Sequence, residues 1–134
     1  MRRAKVLLVD DDPRFIKRVG QFLAAYTDLA VVGEAGDGQE AVLKAGELKP
    51  DLVLMDIRMP GMSGLEVTRH LKAEMPALTV IILTIFDLQE YRDAAAASGA
   101  SAFVSKRDMQ TVLLSKLQAL GFSPPKSATM TVTA

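Results

Sequence analysis

Residues 52–64 read LVLMDIRMPGMSG, in which four apolar residues are followed by an aspartate and a loop containing proline and glycine. An unbroken apolar run of this length is typical of a strand that is buried on both faces of a sheet. A helical pattern follows over about 64–75. Its predicted inner face is formed by Leu65, Thr68, Leu71 and Met75. The segment therefore predicts a strand-loop-helix unit with Asp56 at the carboxyl end of the strand.

Similar units lie on both sides of this one. The other apolar runs occur at 6–9, 30–33, 80–83 and 102–104, and the other helical patterns at about 38–48, 87–98 and 108–120. The first helix is predicted to begin at Pro13, with Asp12 as its N-cap. Its predicted inner face is formed by Phe15, Val19, Phe22, Leu23 and Tyr26. Gly99 and Gly121 are predicted C-caps. The alternation predicts an α/β fold with a doubly wound parallel sheet.

Composition narrows the class of protein. The 134 residues fit one domain, and the absence of cysteine excludes disulfides and thiolate metal sites, so we expect a cytoplasmic protein. Sixteen basic and sixteen acidic residues cancel, which leaves no bulk charge to attract nucleic acid or a membrane. A domain is predicted over residues 1–122, and the polar, Pro-started segment 123–134 is predicted to be a linker or C-terminal tail.

Polar residues follow four of the five predicted strands. Asp10 and Asp11 follow the first, Asp56 follows the third, Thr84 ends the fourth and Lys106 follows the fifth. Ligands of doubly wound sheets bind outside the carboxyl ends of the strands. These residues are therefore expected to form one site.

The clustered carboxylates predict a bound Mg²⁺ ion. Carboxylates that share a site repel one another, and a hard divalent cation relieves that repulsion. The predicted ligands are Asp11, Asp56 and the backbone carbonyl of Arg58. Asp10 is predicted to lie next to these ligands without binding the ion directly. Asp56 is then a candidate nucleophile towards phosphorus. Thr84 and Lys106 are predicted to contact the oxygens of the transferred group.

Over residues from about 4 to 121 the chain resembles the receiver domains of bacterial two-component response regulators. The resemblance rests on Asp10-Asp11 after an apolar strand, on residues 52–64, on Leu83-Thr84 and on the sequence FVSK at 103–106. It implies a flavodoxin-like (βα)5 fold of three layers, with strand order 2-1-3-4-5. The site roles that it implies are phosphoacceptor for Asp56, acidic pair for Asp10 and Asp11, switch residues for Thr84 and Phe103, and phosphate sensor for Lys106.

The resemblance also implies partners. A sensor histidine kinase would donate the phosphoryl group, and phosphorylation would favour a homodimer through the face formed by the fourth helix, fifth strand and fifth helix. Residues 31–42 are similar to the subfamily whose receivers precede a helix-turn-helix output domain. DNA would be bound only through such a domain, which is not in this chain. The chain is then either a fragment that ends in its linker or a stand-alone receiver.

Ile85 departs from the family pattern, and two other functions compete with the leading one. Ile85 stands where receivers usually have a small residue, and with Phe86 it is expected to crowd the phosphoryl site and slow turnover of the phosphoaspartate. Residues 9–12 also resemble the Asp-x-Asp motif of the haloacid dehalogenase superfamily, which would make the chain a Mg²⁺-dependent phosphohydrolase. A scaffold that binds partners without phosphorylation is the third reading. The leading reading is a phosphoacceptor signalling domain that is not an enzyme towards other substrates.

Overall fold

Five parallel strands form the central sheet of the computed structural model, which describes residues 3–122. They are β1 (Lys5–Val9), β2 (Ala30–Ala35), β3 (Leu52–Met55), β4 (Thr79–Thr84) and β5 (Ala102–Ser105). Their order across the sheet is β2-β1-β3-β4-β5, and every neighbouring pair is parallel. The predicted flavodoxin-like order is confirmed. The predicted linker at 123–134 lies outside the described residues.

Four helices connect consecutive strands, a fifth follows the last strand, and together they cover both faces of the sheet. They are α1 (Pro13–Tyr26), α2 (Gly38–Leu48), α3 (Gly64–Glu74), α4 (Gln89–Ser98) and α5 (Leu114–Ala119). Within residues 3–122, no helix is both long enough and apolar enough to cross a bilayer. The single helix predicted over about 108–120 is wrong in its first half, because a 3₁₀ turn at Lys106–Asp108 and a π-helical turn at Met109–Leu113 precede α5. Helical turning starts early because the Ser105 hydroxyl accepts a hydrogen bond from the Arg107 N–H at 3.2 Å.

Local capping explains where the helices begin and end. The Arg14 N–H donates to Asp12 Oδ1 at 3.0 Å, which confirms Asp12 as the N-cap of α1. Ser63 and Glu66 form a reciprocal capping box at the start of α3. Gly99 caps α4 at φ 102°, and Gly121 follows α5 at φ 88°, both in the left-handed region that glycine tolerates.

The core lies in two layers, one on each side of the sheet. Side chains of α1 and α5 pack on one face, and those of α2, α3 and α4 pack on the other. Three expectations about burial are wrong. Strand β2, at the edge of the sheet, is only partly buried, Tyr26 is 43% exposed, and Val67 is more deeply buried on α3 than the predicted Leu65.

The tight approach of α3 to β3 depends on Gly64. Its N–H donates to the Ile57 carbonyl at 2.8 Å, and a Cβ added to Gly64 would lie 1.8 Å from the carbonyl oxygen of Asp56. Any larger residue must therefore push α3 away from the end of β3. Since Asp56 ends that strand, Gly64 also fixes the backbone of the predicted site.

Gly64→Ala is therefore expected to lower the free energy of unfolding by about 1–3 kcal/mol, as overpacking does in other cores. Urea denaturation measures this loss. Gly46→Ala is the matched control, because Gly46 lies within α2 and an added Cβ there meets nothing within 4 Å. That variant should be more stable than wild type by about 0.4–1 kcal/mol. Equal stability of the two variants would contradict this account of Gly64.

Candidate functional site

Three carboxylates meet where β1 and β3 end. The two strands are neighbours, with Val9 paired to Met55, so Asp10 and Asp56 leave the sheet side by side. Each of Asp10, Asp11 and Asp56 offers a carboxylate oxygen, and these oxygens all lie within 4.8 Å of one another. Asp10 and Asp56 are buried and Asp11 is exposed. Hard oxygen donors in this arrangement suit a divalent cation such as Mg²⁺.

Lys106 supplies the positive charge of the site. Its Nζ atom lies 2.7 Å from Asp10 Oδ2 and 3.4 Å from Asp56 Oδ2. Lys106 follows β5, two strands away from β3, and its long side chain crosses the end of β4 to reach the carboxylates. The predicted grouping of Asp10, Asp11, Asp56 and Lys106 in one site therefore agrees with the structure.

Comparison with known proteins identifies the family. The family model of the response regulator receiver domain matches residues 6–118. The chain belongs to the response regulator receiver domains. Its function is accordingly that of a receiver in phosphorylation-based two-component signalling.

Relatives of this receiver domain include a transcriptional regulatory protein and a response regulator protein. It is 34% identical to the transcriptional regulatory protein YxjL of Bacillus subtilis, over 87% of this chain and 54% of YxjL. It is 41% identical to the response regulator protein VraR of Staphylococcus aureus, over 76% of this chain and 49% of VraR. The chain thus spans about half the length of the curated relatives that it matches.

A solved structure supports the same relationship. The crystal structure of a LuxR-family two-component response regulator from Aurantimonas superposes with a TM-score of 0.84 and 31% identity, over 91% of this chain and 89% of that one. The predicted resemblance to receivers of DNA-binding regulators is confirmed at the level of family.

Each buried carboxylate of the receiver site is held by a backbone amide. Asp56 Oδ1 accepts a hydrogen bond from the Ile57 N–H at 2.8 Å, and Asp10 Oδ1 accepts one from the Asp12 N–H at 2.9 Å. Both oxygens of Asp10 are therefore occupied, one by this amide and the other by Lys106.

The two predicted switch residues lie at the ends of β4 and β5. Thr84 is fully buried, and its hydroxyl oxygen accepts a hydrogen bond from the Phe86 N–H at 3.3 Å. Phe103 is partly buried, with the Arg92 guanidinium 4.7 Å from its ring centroid. Within residues 3–122, no hydrogen bond joins Thr84 to the carboxylates. The structure thus places both residues near the site without bringing them into it.

An open cavity of about 590 Å³ lies above the carboxylates. Ile85 and Phe86 form part of its wall, as expected from their position after Thr84. Phe15, Arg18, Arg107 and the side chain of Arg58 also line the cavity and were not predicted from the sequence. The Arg58 guanidinium lies 4.9 Å from the Phe86 ring centroid, and the Phe15 ring centroid lies 4.1 Å from Lys106 Nζ. No sequence signal links these pairs, because the partners are far apart along the chain.

Burial raises the pKa of the Asp10 carboxyl above its ordinary value of 3.8. The hydrogen bonds from Lys106 and Asp12 act in the opposite direction, and the charge of Asp56 adds to the effect of burial. The ionised form of Asp10 is therefore destabilised by burial in the metal-free receiver domain.

The raised pKa of Asp10 predicts that the stability of the domain depends on pH in metal-free solution. Above pH 3.8 the unfolded chain has lost the Asp10 proton while the folded chain still holds it, so each rise in pH up to the folded pKa lowers the stability of the wild type. Asp10→Asn removes this effect. The stability of Asp10→Asn relative to wild type should therefore increase with pH above 3.8 and then level off, as measured by urea denaturation with a chelator present.

Asp12→Asn is the control, because the amide of Arg14 lowers the pKa of the Asp12 carboxyl below 3.8. The stabilisation by the ionised Asp12 carboxylate is present above pH 3.8 and is lost as the pH falls through the lowered pKa of the folded state. Asp12→Asn should thus lose stability relative to wild type as the pH rises towards 3.8, the direction opposite to that of Asp10→Asn. The same direction in both variants would contradict the assignment.

Proposed function

We propose that this receiver domain accepts a phosphoryl group on Asp56 from the phosphohistidine of a sensor histidine kinase, with Mg²⁺ bound beside it. The observation that carries the proposal is the position of Asp56, a buried carboxylate that lies at the base of an open cavity between an acidic cluster and Lys106. An isolated structural aspartate would need neither a lysine from a distant strand nor two further carboxylates. The domain acts as a phosphoacceptor and not as an enzyme towards other substrates.

The donor set fits Mg²⁺. We assign Asp11, Asp56 and the backbone carbonyl of Arg58 as the protein ligands, with Asp10 holding Lys106 behind them. Mg²⁺ prefers oxygen ligands and takes one or two carboxylates together with phosphate oxygens. When bound, it neutralises charge on the phosphoryl oxygens.

The transfer itself uses the chain's own carboxylate. An oxygen of Asp56 forms a bond to phosphorus while the phosphorus–nitrogen bond of the donor breaks, and the electron pair of that bond leaves with the donor imidazole. Lys106, at 3.4 Å from Asp56 Oδ2, is placed to pair with an oxygen of the transferred group. Hydrolysis later returns Asp56 to a carboxylate and releases inorganic phosphate.

The signal would be read at β4 and β5. We propose that the Thr84 hydroxyl leaves its bond with the Phe86 amide for a phosphoryl oxygen, and that Phe103 moves into the space vacated. The face formed by α4, β5 and α5 then changes, which favours a homodimer. Control of transcription would follow through a DNA-binding output domain. We place this relay in the cytoplasm, where kinases form phosphohistidine from ATP.

The haloacid dehalogenase alternative loses support at Asp12. In that motif the second aspartate would work beside Asp10, but the Asp12 carboxylate caps α1 and contacts Arg14. The three grouped carboxylates instead include Asp56 from β3. Membership of the receiver family favours the phosphoacceptor over the hydrolase.

The proposal predicts that incubation with acetyl phosphate and Mg²⁺ adds one phosphoryl group to wild type and none to Asp56→Asn. The substitution keeps the shape of the side chain and removes the nucleophilic carboxylate. Intact-mass spectrometry measures the gain, and omission of Mg²⁺ should abolish it.

Asp51→Asn is the control variant, because Asp51 lies before β3, at the opposite end of that strand from Asp56. It should take up the phosphoryl group as wild type does. Uptake by Asp56→Asn that is lost in Asp10→Asn would favour the hydrolase instead. A partner that binds wild type and Asp56→Asn equally under phosphorylating conditions would favour the scaffold.

The position of Ile85 at the cavity leads us to expect a long-lived phosphoaspartate. Its side chain is 58% exposed and lines the cavity, where it limits the approach of water to the phosphorylated Asp56. Ile85→Ala should therefore shorten the half-life of the phosphorylated form, as followed by mass after removal of the donor. Leu88→Ala is the control, since Leu88 is an exposed apolar residue in the same loop but outside the cavity lining. A wild-type half-life no longer than that of Ile85→Ala would refute this role.

A further inference from the structure

The uncharged ring of Phe15 contacts the charged ammonium group of Lys106. Its centroid lies 4.1 Å from Lys106 Nζ, well inside the distance of about 6 Å at which a ring face attracts a cation. The side chain of Lys106 is only 13% exposed, so little water competes with this attraction. Phe15 itself is buried in the layer of the core beneath α1.

The position of the ring is tied to the position of the acidic pair. The Phe15 N–H donates to the Asp12 carbonyl at 3.1 Å, and the Asp12 N–H donates to Asp10 Oδ1 at 2.9 Å. The first turn of α1 thus fixes Asp10 and Phe15 together. Lys106 arrives from β5 and meets both of them, with Asp56 as its third neighbour.

The three contacts of Lys106 differ in what a bound cation does to them. A divalent cation at the carboxylates competes for the oxygens of Asp56 and repels the ammonium group of Lys106, so this group is then held by Asp10 and the Phe15 ring. The attraction to the Phe15 ring involves no carboxylate and is not lost in this competition. Without the ring, Asp10 alone would hold the strongly hydrated ammonium group at the end of its flexible four-carbon stem.

We propose that Phe15 is a positioning residue, which holds the Lys106 ammonium in the cavity by a cation–π contact while a metal ion engages the carboxylates. Lys106 then remains in place for the incoming phosphoryl oxygen. This inference rests on the proposed function of Asp56 for its effect on phosphorylation, but the contact itself exists in the metal-free domain. Arg18 also faces the Phe15 ring, at a longer distance of 5.7 Å.

The contact is tested first by NMR on metal-free protein with ¹³C-labelled lysine. A ring face shifts the signals of protons above it upfield, so the ε-methylene protons of Lys106 should appear upfield of those of the other lysines. Phe15→Leu should remove the shift, and Phe22→Leu should preserve it. Phe22 is the matched control because it lies on the same helix, is likewise 7% exposed, and packs against Tyr26 instead of a cation.

The role is tested by a double-mutant cycle on the rate of phosphorylation by acetyl phosphate with Mg²⁺. Phe15→Leu should slow the reaction by about ten- to thirtyfold, in the range expected for loss of a largely desolvated cation–π contact. In a Lys106→Met background, the same substitution should have no further effect. Phe15→Tyr should restore the wild-type rate, and Phe22→Leu should leave it unchanged.

Each outcome bears on the proposal. Equal slowing by Phe15→Leu with and without Lys106 would show that Phe15 acts through packing alone and would overturn the inference. A wild-type rate in Phe15→Leu would also overturn it. If wild type takes up no phosphoryl group, the proposed function fails, and the NMR shift then decides about the contact alone. Absence of that shift in wild type overturns this inference whatever the phosphorylation result.

Discussion

The ion pair between Lys106 and Asp10 is the interaction on which the site depends. Its two atoms lie 2.7 Å apart, and both side chains are largely removed from water. A buried charge without a partner is strongly destabilising, so the end of β5 must remain within reach of the end of β1. The strand order places β3 and β4 between them, which brings Asp56 and Thr84 into the same small region. One long-range pair thus gathers the ends of four strands.

The same electrostatics connect stability with function. Asp10, Asp11 and Asp56 place three carboxylates close together, and Lys106 is the basic group that pairs directly with two of them. Burial raises the pKa of Asp10 and so disfavours its ionised form, which a divalent cation at the carboxylates would favour. A site that is electrostatically incomplete in the free protein is well suited to bind a cation and then a phosphoryl group.

Aromatic rings organise the cations around this centre. Phe15 faces Lys106 within the cavity, Phe86 faces Arg58 at its wall, and Phe103 faces Arg92 beyond it. Arg92 is also held by Asp87, with 2.7 Å between its Nη2 and the carboxylate, which ties α4 to the loop after β4. Movement of Thr84 or Phe103 would therefore change the contacts of charged groups at the surface. Such movement would connect a change at the buried carboxylate to the face formed by α4, β5 and α5, which is proposed to form the homodimer.

The sequence by itself determined the features that arise from local order along the chain. Apolar runs marked all five strands, Asp12 and Pro13 marked the start of α1, and the strand ends identified Asp10, Asp11, Asp56 and Lys106 as one site. These features were predictable because periodicity, capping and the geometry of parallel sheets act over short distances or apply to every strand of a kind.

Only the tertiary structure decided which side chains face one another. The partial burial of β2 depends on its position at the edge of the sheet, and the 1.8 Å approach of a Cβ added at Gly64 to the Asp56 carbonyl oxygen depends on where α3 packs. The contact between Phe15 and Lys106 joins residues from opposite ends of the chain. The local sequence around one residue gives no sign of the other. They meet because α1 and the turn after β5 both lie at the carboxyl end of the parallel sheet.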